Sequence, residues 1–449
     1  MYSFGISNCY MDTLRKIIFI FTYILPLTVY SQDSLQTHFT LEECIELALR
    51  NNANAQKSAS NTELANLDLK QAKTALLPSF DGRLTHDIST GFTTDPITNT
   101  ILRTNVTSGS QSLSTSVLLF NGLNLLRTIR QQAFAYKASQ MDEQQIKDNL
   151  TLDIILAYLQ VITSQDVLDQ NKQQRDVTKK QLDRLALMNN DGAIAPGDFY
   201  DLKGQFSGDQ VTVVTAENTL RTSIIALTQL LNIPYRESLS FEPINQLPNI
   251  TSTSMSQETL YENAASFLGT LRAAKFWKES ADYQLKATRS LYFPSLSFGA
   301  GLNSRYSNSG EGTYIDQIQD NLGRGLGFTL NIPILDGFRR RINVSRAKIY
   351  LRNAEIDLEN TQNNLQQQTS QVLINLETAK QKYLELREQV DAYKESFRIA
   401  EVRFEAGDIN SVEFLLQKNK YDQANINLVV TQYEWQLRQR IANYYNGNR

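Results

Sequence analysis

Four short segments of the chain alternate strictly between apolar and polar residues, and they fall into two pairs set between long helical stretches. In 295–306 the even positions are Leu296, Phe298, Ala300, Leu302, Ser304 and Tyr306, while the odd ones are Ser295, Ser297, Gly299, Gly301, Asn303 and Arg305. In 323–334 the even face is Arg324, Leu326, Phe328, Leu330, Ile332 and Ile334, opposed by Gly325, Gly327, Thr329 and Asn331. The first pair follows the rule more weakly. Phe80, Leu84 and Ile88 oppose Asp81, Arg83, Thr85 and Asp87, and Leu113, Thr115, Val117 and Leu119 oppose Ser112, Ser114 and Ser116. A period of two puts each set on one face of a strand. The pattern predicts strands over about 79–91, 109–120, 295–306 and 323–334.

Two environments fit such strands. One is a half-buried soluble sheet. The other is an outer-membrane barrel wall, whose strands of about ten residues carry an apolar outside and a wet inside. The stretches between paired strands, 91–109 and 307–322, are rich in Thr, Asn, Ser, Gly and Asp and read as exposed loops. Four strands cannot close a barrel, for which about eight is the minimum. An open edge in hydrocarbon would leave backbone groups unpaired. In a membrane, therefore, several chains must share one barrel: two would give a filled interior, three would leave room for a pore.

The helical stretches are too long for an ordinary globule. Neither proline nor glycine interrupts Leu123 to Asn190, nor Phe338 to Ala406. Helices near 100 Å long survive by packing sideways as coiled coils. The second shows the seam: Tyr383, Leu386, Val390, Tyr393, Phe397, Ala400 and Phe404 recur at alternating steps of 3 and 4. Asn189-Asn190-Asp191-Gly192 ends one long helix and Glu405-Ala406-Gly407-Asp408 the other. Return helices follow over about 196–232 and 410–445, and helices over about 40–76 and 256–291 lead into the strand pairs.

The plan is thus written twice. Pro78 and Pro294, which open the hairpins, lie 216 positions apart, and Gly122 and Gly337, which close them, 215. That spacing far exceeds a solenoid unit of about 20–50 residues and reads as duplication of half a molecule. The expected organisation is a signal peptide over 1–32, a first repeat over 33–232, a connector over 233–255 and a second repeat over 256–449.

The signal reading rests on Arg15 and Lys16 before an apolar run, Ile17–Val29, and then Tyr30-Ser31-Gln32. A membrane anchor is the alternative. Net charge is −3 and charged residues make up 20% of the 449, a balance that does not suggest nucleic-acid binding. Cys44 stands alone after the signal, so no intrachain disulfide is expected. His38 and His86 lack ligand spacing, and no metal or cofactor is expected.

With these features together, the chain resembles an outer-membrane efflux protein of the TolC family. The resemblance spans about 33–449, and its carriers are the duplicated helix–hairpin–helix plan, the hairpin prolines and the glycine turns. Arg403-Phe404-Glu405-Ala406-Gly407 followed by Val412-Glu413-Phe414-Leu415 is similar to the family's helix-turn signature. The resemblance implies an α+β membrane protein in the outer membrane. A homotrimer would share a twelve-stranded barrel above a coiled-coil helical tunnel in the periplasm. A periplasmic adaptor (a membrane fusion protein) and an inner-membrane pump would dock at the tunnel mouth. The function would be a passive export conduit, not an enzyme. Two competing classes are a soluble periplasmic coiled-coil adaptor or scaffold, which would not need two lipid-type strand pairs, and a secreted enzyme, for which no convergent catalytic set is evident.

Family members carry acidic residues just after the second turn. Glu413 falls on the first such position, whereas Leu416 falls on the second and departs from the pattern. The first-copy equivalents are Asp198 and Asp201. Glu413 with Asp408 is either a carboxylate ring at the constriction, favouring cations, or a solvated helix-start group on the helix dipole. The turns, with Asn190, Asp191, Gly192, Gly407 and Asn410, are either adaptor contacts or simple caps. Asp81, Arg83, Asn303 and Arg305 either face the barrel lumen or are solvated near a rim.

Overall fold

A computed structural model describes residues 38–94, 97, 99–191, 194–243 and 256–447. The signal peptide, Gly192 and connector residues 244–255 lie outside the described residues. A two-residue strand β1 (His38–Phe39) precedes helices α1 (Leu41–Asn51) and α2 (Ala53–Thr74), then strands β2 (Ser79–Thr94) and β3 (Ile101–Phe120). Next come the long helix α3 (Asn124–Asn190), its return helix α4 (Pro196–Leu231) and a short strand β4 (Ser240–Phe241). The order then repeats: α5 (Gln257–Phe267), α6 (Gly269–Ser290), β5 (Ser295–Ser307), a small helix α7 (Tyr314–Asp320), β6 (Gly323–Asn331), α8 (Arg339–Ala406) and α9 (Ser411–Tyr445).

Five of the predicted elements differ. The expected loop 91–109 is largely strand, because β2 and β3 pair up to Thr94↔Ile101. Threonine, read there as loop composition, is β-branched and suits a pleated surface. The expected loop 307–322 carries α7, started by a capping box between Thr313 and Asp316. β6 stops at Asn331, since Pro333 has no N–H to donate. The lead-in helices are each broken once: at Asn52, whose side chain accepts the amides of Asn54 and Ala55, and at Leu268, which is extended.

The breaks are joints in two composite rods. α2 and α4 run end to end beside α3, and the Asn52 and Asn232 amide groups donate across the joint to the carbonyls of Leu230 and Asn51. In the second repeat α6 packs on α8, as does α9, and Asn263 donates to Asn446 at 2.7 Å. Mid-length, β1 and β4 pair in parallel. The Tyr158 hydroxyl donates to the carbonyls of Phe39 and Glu242, and the surrounding core takes in buried Cys44, Ile154, Leu227 and Leu231. The seam of α8 is inward, with Tyr383, Val390 and Ala400 buried.

The helices leave the sheet through matching turns. Gly122 and Leu123 have φ +66° and +68°, and Gly337 and Phe338 have +64° and +65°. The sheet order is β2-β3-β5-β6, all antiparallel. Its register sorts the faces: Phe80↔Thr115↔Ala300↔Leu326 lies on one, and Asp81↔Ser114↔Gly301↔Gly325 on the other.

Candidate functional site

Two places carry the candidate chemistry: the end of the rods where both long helices turn, and the two faces of the sheet.

At the turn end, apolar residues of both hairpins share one core. Phe414 is fully buried between Phe404, stacked at 4.6 Å, and Phe397 at 5.9 Å, and Leu185 and Leu202 join from the first hairpin. Polar links run around it. The Ser411 amide donates to Asp198 Oδ1 at 2.9 Å and its hydroxyl to Asp201 Oδ2 at 2.8 Å. Asp198 and Asp201 therefore hold the start of α9, where unpaired amides need acceptors. Arg184 donates to the Glu405 carbonyl at 2.8 Å and pairs with its carboxylate at 3.4 Å.

Glu413 lies in the first turn of α9, with its amide donating to Asn410 Oδ1, the N-cap, at 3.0 Å. Its carboxylate is 3.4 Å from Arg403, and both side chains are about half exposed (50% and 49%). Gly407 ends α8 at φ +80°, and the Asp408 amide returns to the Arg403 carbonyl at 2.9 Å. Asp408, Asn410, Asn190 and Asp191 are exposed. The structure thus brings Asp198 and Asp201 to Ser411 and sets Glu413 and Asp408 on the same turn.

Sequence reasoning missed a polar layer farther up the rods. Lys418, only 1% exposed, lies 2.5 Å from Asp422 and 3.5 Å from Asp209. Asp209 also accepts from Thr178 and Gln205. Burial pushes the Asp422 carboxyl above its ordinary range, against the pull of the Lys418 charge. The i,i+4 spacing of Lys418 and Asp422 is visible in sequence, but nothing local points to Asp209.

On the sheet, Asp81, Arg83, Asn303 and Arg305 share the polar face. Arg83 and Asn303 stand in one row through Ser112, and Arg305 stands one row along, opposite Ser110. The other face is exposed and apolar, with Phe80 71%, Leu84 81% and Leu326 78% accessible. No helix of the described residues is long and apolar enough to cross a membrane.

The model of the Outer membrane efflux protein family matches residues 44–232 and 260–441, once on each repeat. The chain belongs to that family. It is 22% identical over 424 residues to the outer membrane protein TolC of Escherichia coli, an alignment covering 93% of this chain and 84% of TolC. Its fold matches the CmeC outer membrane channel of Campylobacter jejuni with a TM-score of 0.80 at 17% identity, over 91% of this chain and 86% of CmeC. It matches VceC of Vibrio cholerae with a TM-score of 0.78 at 15% identity, over 91% and 96%. The chain is thus an efflux channel of the outer membrane, and its duplicated strands and rods are those of a channel-tunnel. The competing soluble scaffold falls with this assignment, because the family's members are outer-membrane channels. The family is one of transport channels.

Proposed function

We propose that three copies of this chain close one twelve-stranded barrel and join their rods into a tunnel, through which a periplasmic adaptor and an inner-membrane pump export small molecules or proteins. One observation carries the reading. The four strands end in two open edges, β2 and β6, while each strand puts exposed apolar side chains on the outer face, Phe80, Leu113, Leu302 and Leu326 among them. Edges cannot stay open in hydrocarbon, and closure by identical copies satisfies every ladder group. Twelve strands leave a lumen, onto which the Ser- and Gly-rich face with Asp81, Arg83, Asn303 and Arg305 would look.

At the periplasmic end, Glu413 and Asp408 line the constriction in this reading, and Asp198 and Asp201 set their position by holding α9. The exposed turn residues Asn190, Asp191, Gly407 and Asn410, with Gly192 beside the first turn in sequence, take the adaptor. The conduit makes and breaks no bonds and needs no cofactor. Native mass spectrometry of the detergent-extracted protein tests the assembly. Three copies resistant to mild denaturation support it, and a monomer released from membranes by carbonate sinks it. Crosslinkers at Asn190 and Asn410 should trap an adaptor, and failure at both turns would count against docking there.

A further inference from the structure

On the apolar face of the sheet β6 contributes one cation, Arg324. Arg324 shares a row with Leu302, and Leu326, Phe328 and Leu330 follow it on the same face. Among the described residues no carboxylate lies within 4.0 Å of it. The strand that would adjoin β6 in a shared barrel offers none either, because the residues of β2 on this face are Phe80, Gly82, Leu84, His86 and Ile88. Arg324 is the second residue of β6, at the end of the strand away from the long helices, and from it to Asn331 the strand runs about 23 Å. A tilt of about 40° foreshortens that to about 18 Å, inside the apolar band of about 25 Å of such barrels. Arg324 therefore stands at the outer end of the lipid-facing stretch of β6, on the side of the lipid phosphates.

The surface around it is shaped. α7 is pinned over the end of β5 on the same face: Ser304 Oγ donates to the Ile318 carbonyl at 2.7 Å, and the Tyr314 ring lies 4.9 Å from Tyr306. Gln317, 4% exposed, pairs its amide group with both the N–H and the carbonyl of Ser307, each at 3.0 Å. Beneath this fixed roof, Ile318 and Leu322 cover a cleft of about 470 Å³ with Leu84, Leu113 and Leu302 among its walls. Leu113 and Leu302 also wall a second cleft of about 300 Å³ that reaches Leu326 and Arg324, so the two adjoin. Each has the size of a small-molecule pocket. An unpaired guanidinium at the lipid boundary, beside an apolar trough closed at its outer end, is complementary to a lipid with an anionic head.

We propose that this cleft binds one outer-leaflet lipid, with an acyl chain along Leu113, Leu302 and Leu326 and a phosphate on Arg324. The guanidinium fork suits a phosphate, which it meets with two parallel hydrogen bonds. The site rests on the shared-barrel reading, since that reading turns this face toward lipid.

The test uses the full chain, extracted as its oligomer in mild detergent and titrated under native mass spectrometry with three probes: bis-phosphorylated lipid A, dephosphorylated lipid A and inorganic phosphate. The phosphorylated lipid should bind about tenfold or more tighter than the dephosphorylated one, the ratio expected from a charge-assisted pair. Arg324→Gln should bring that ratio to about one while keeping the oligomer. Leu302→Trp, which fills the trough, should weaken both lipids. Equal binding of the two lipids by the wild type, or an unchanged ratio in Arg324→Gln, overturns the proposal. So does displacement of the lipid by inorganic phosphate at equal concentration, which would mark an ion site only. A chain released by carbonate overturns the barrel reading too, whereas a membrane-bound oligomer that holds both lipids equally overturns this inference alone.

Discussion

The amide of Ser411 donates to Asp198 Oδ1 at 2.9 Å across 213 positions of sequence, so the first amide of the last helix is capped by the other repeat. Ser411 is 1% exposed, and its hydroxyl is taken up by Asp201. Removing a cap costs about 1 kcal/mol. Asp198→Ala should loosen the α8–α9 turn by about that much, read as faster amide exchange at 407–412. Asp198→Asn, which keeps an acceptor, should stay near wild type. If both variants exchanged like wild type, the clasp would contribute nothing.

Glu413 and Arg403 form a half-exposed pair, which solvent screens to at most about 1 kcal/mol of stability. Glu413→Gln should therefore leave the folded protein intact. If three Glu413 carboxylates ring the mouth, the same change should lower the cation-over-anion permeability of the channel in planar bilayers. Arg403→Ala should raise it by baring the carboxylate. Unchanged selectivity in both variants would assign Glu413 to the helix start only.

Gly122 and Gly337 occupy equivalent turns with φ +66° and +64°, and only their surroundings differ. A Cβ on Gly122 would lie 2.6 Å from Phe293 Cβ and 2.7 Å from the Ser290 carbonyl, whereas one on Gly337 would meet nothing within 4 Å. Both Ala variants incur the left-handed strain of about 1–2 kcal/mol. Gly122→Ala alone must also push the two closely packed repeats apart, so its thermal unfolding should drop clearly below that of Gly337→Ala. Equal drops would mean that the Phe293 side relaxes freely.

The long helices, the duplication and the strand faces were legible because each is a local periodicity repeated many times. Period two held in β5 and β6, and period 3.5 held along Tyr383 to Phe404. Of the two helix breaks, Asn52 was readable in principle, since it is a favoured N-cap type and caps Asn54 and Ala55, while its bond to Leu230 across the joint was not. Leu268 carries no local stop signal, and Gly269 after it approaches the Met141 carbonyl too closely for any side chain. The Thr313–Asp316 capping box was a readable start for α7, overshadowed by the Gly- and Asn-rich composition around it. At the turn end, sequence could place Asp198, Asp201 and Glu413 near helix starts. That the first two hold the other repeat depends on contacts more than 200 positions apart.

Cys44 is fully buried beside the β1–β4 core, and burial, reinforced by the charges of Glu43 and Glu42, pushes its thiol up to about 12. The thiolate is the reactive form. At pH 8 it amounts to about one part in ten thousand. A maleimide at pH 8 should leave the folded protein unlabelled over hours and modify it fully in denaturant. Labelling of the folded oligomer at the rate of a free thiol would show that this core opens.

Lys418 is held between two carboxylates from different hairpins, Asp422 on its own helix and Asp209 on α4. Asp209 is also bound by Thr178 of α3, so the layer joins three rods at one level. Lys418→Ala leaves two acids facing each other in a largely dry site, a loss of about 3 kcal/mol. Lys418→Met combined with Asp422→Asn removes both charges of the shorter pair and should recover much of that loss. The pH dependence follows from the raised Asp422 carboxyl. A carboxyl that holds its proton more tightly folded than unfolded favours the fold below the unfolded value, about 3.9. That advantage fades as pH rises through the folded value. Asp422→Asn should therefore flatten the fall in stability from about pH 4 upward, measured as the denaturation midpoint at stepped pH. An equally steep fall in the variant would mean that another group titrates there.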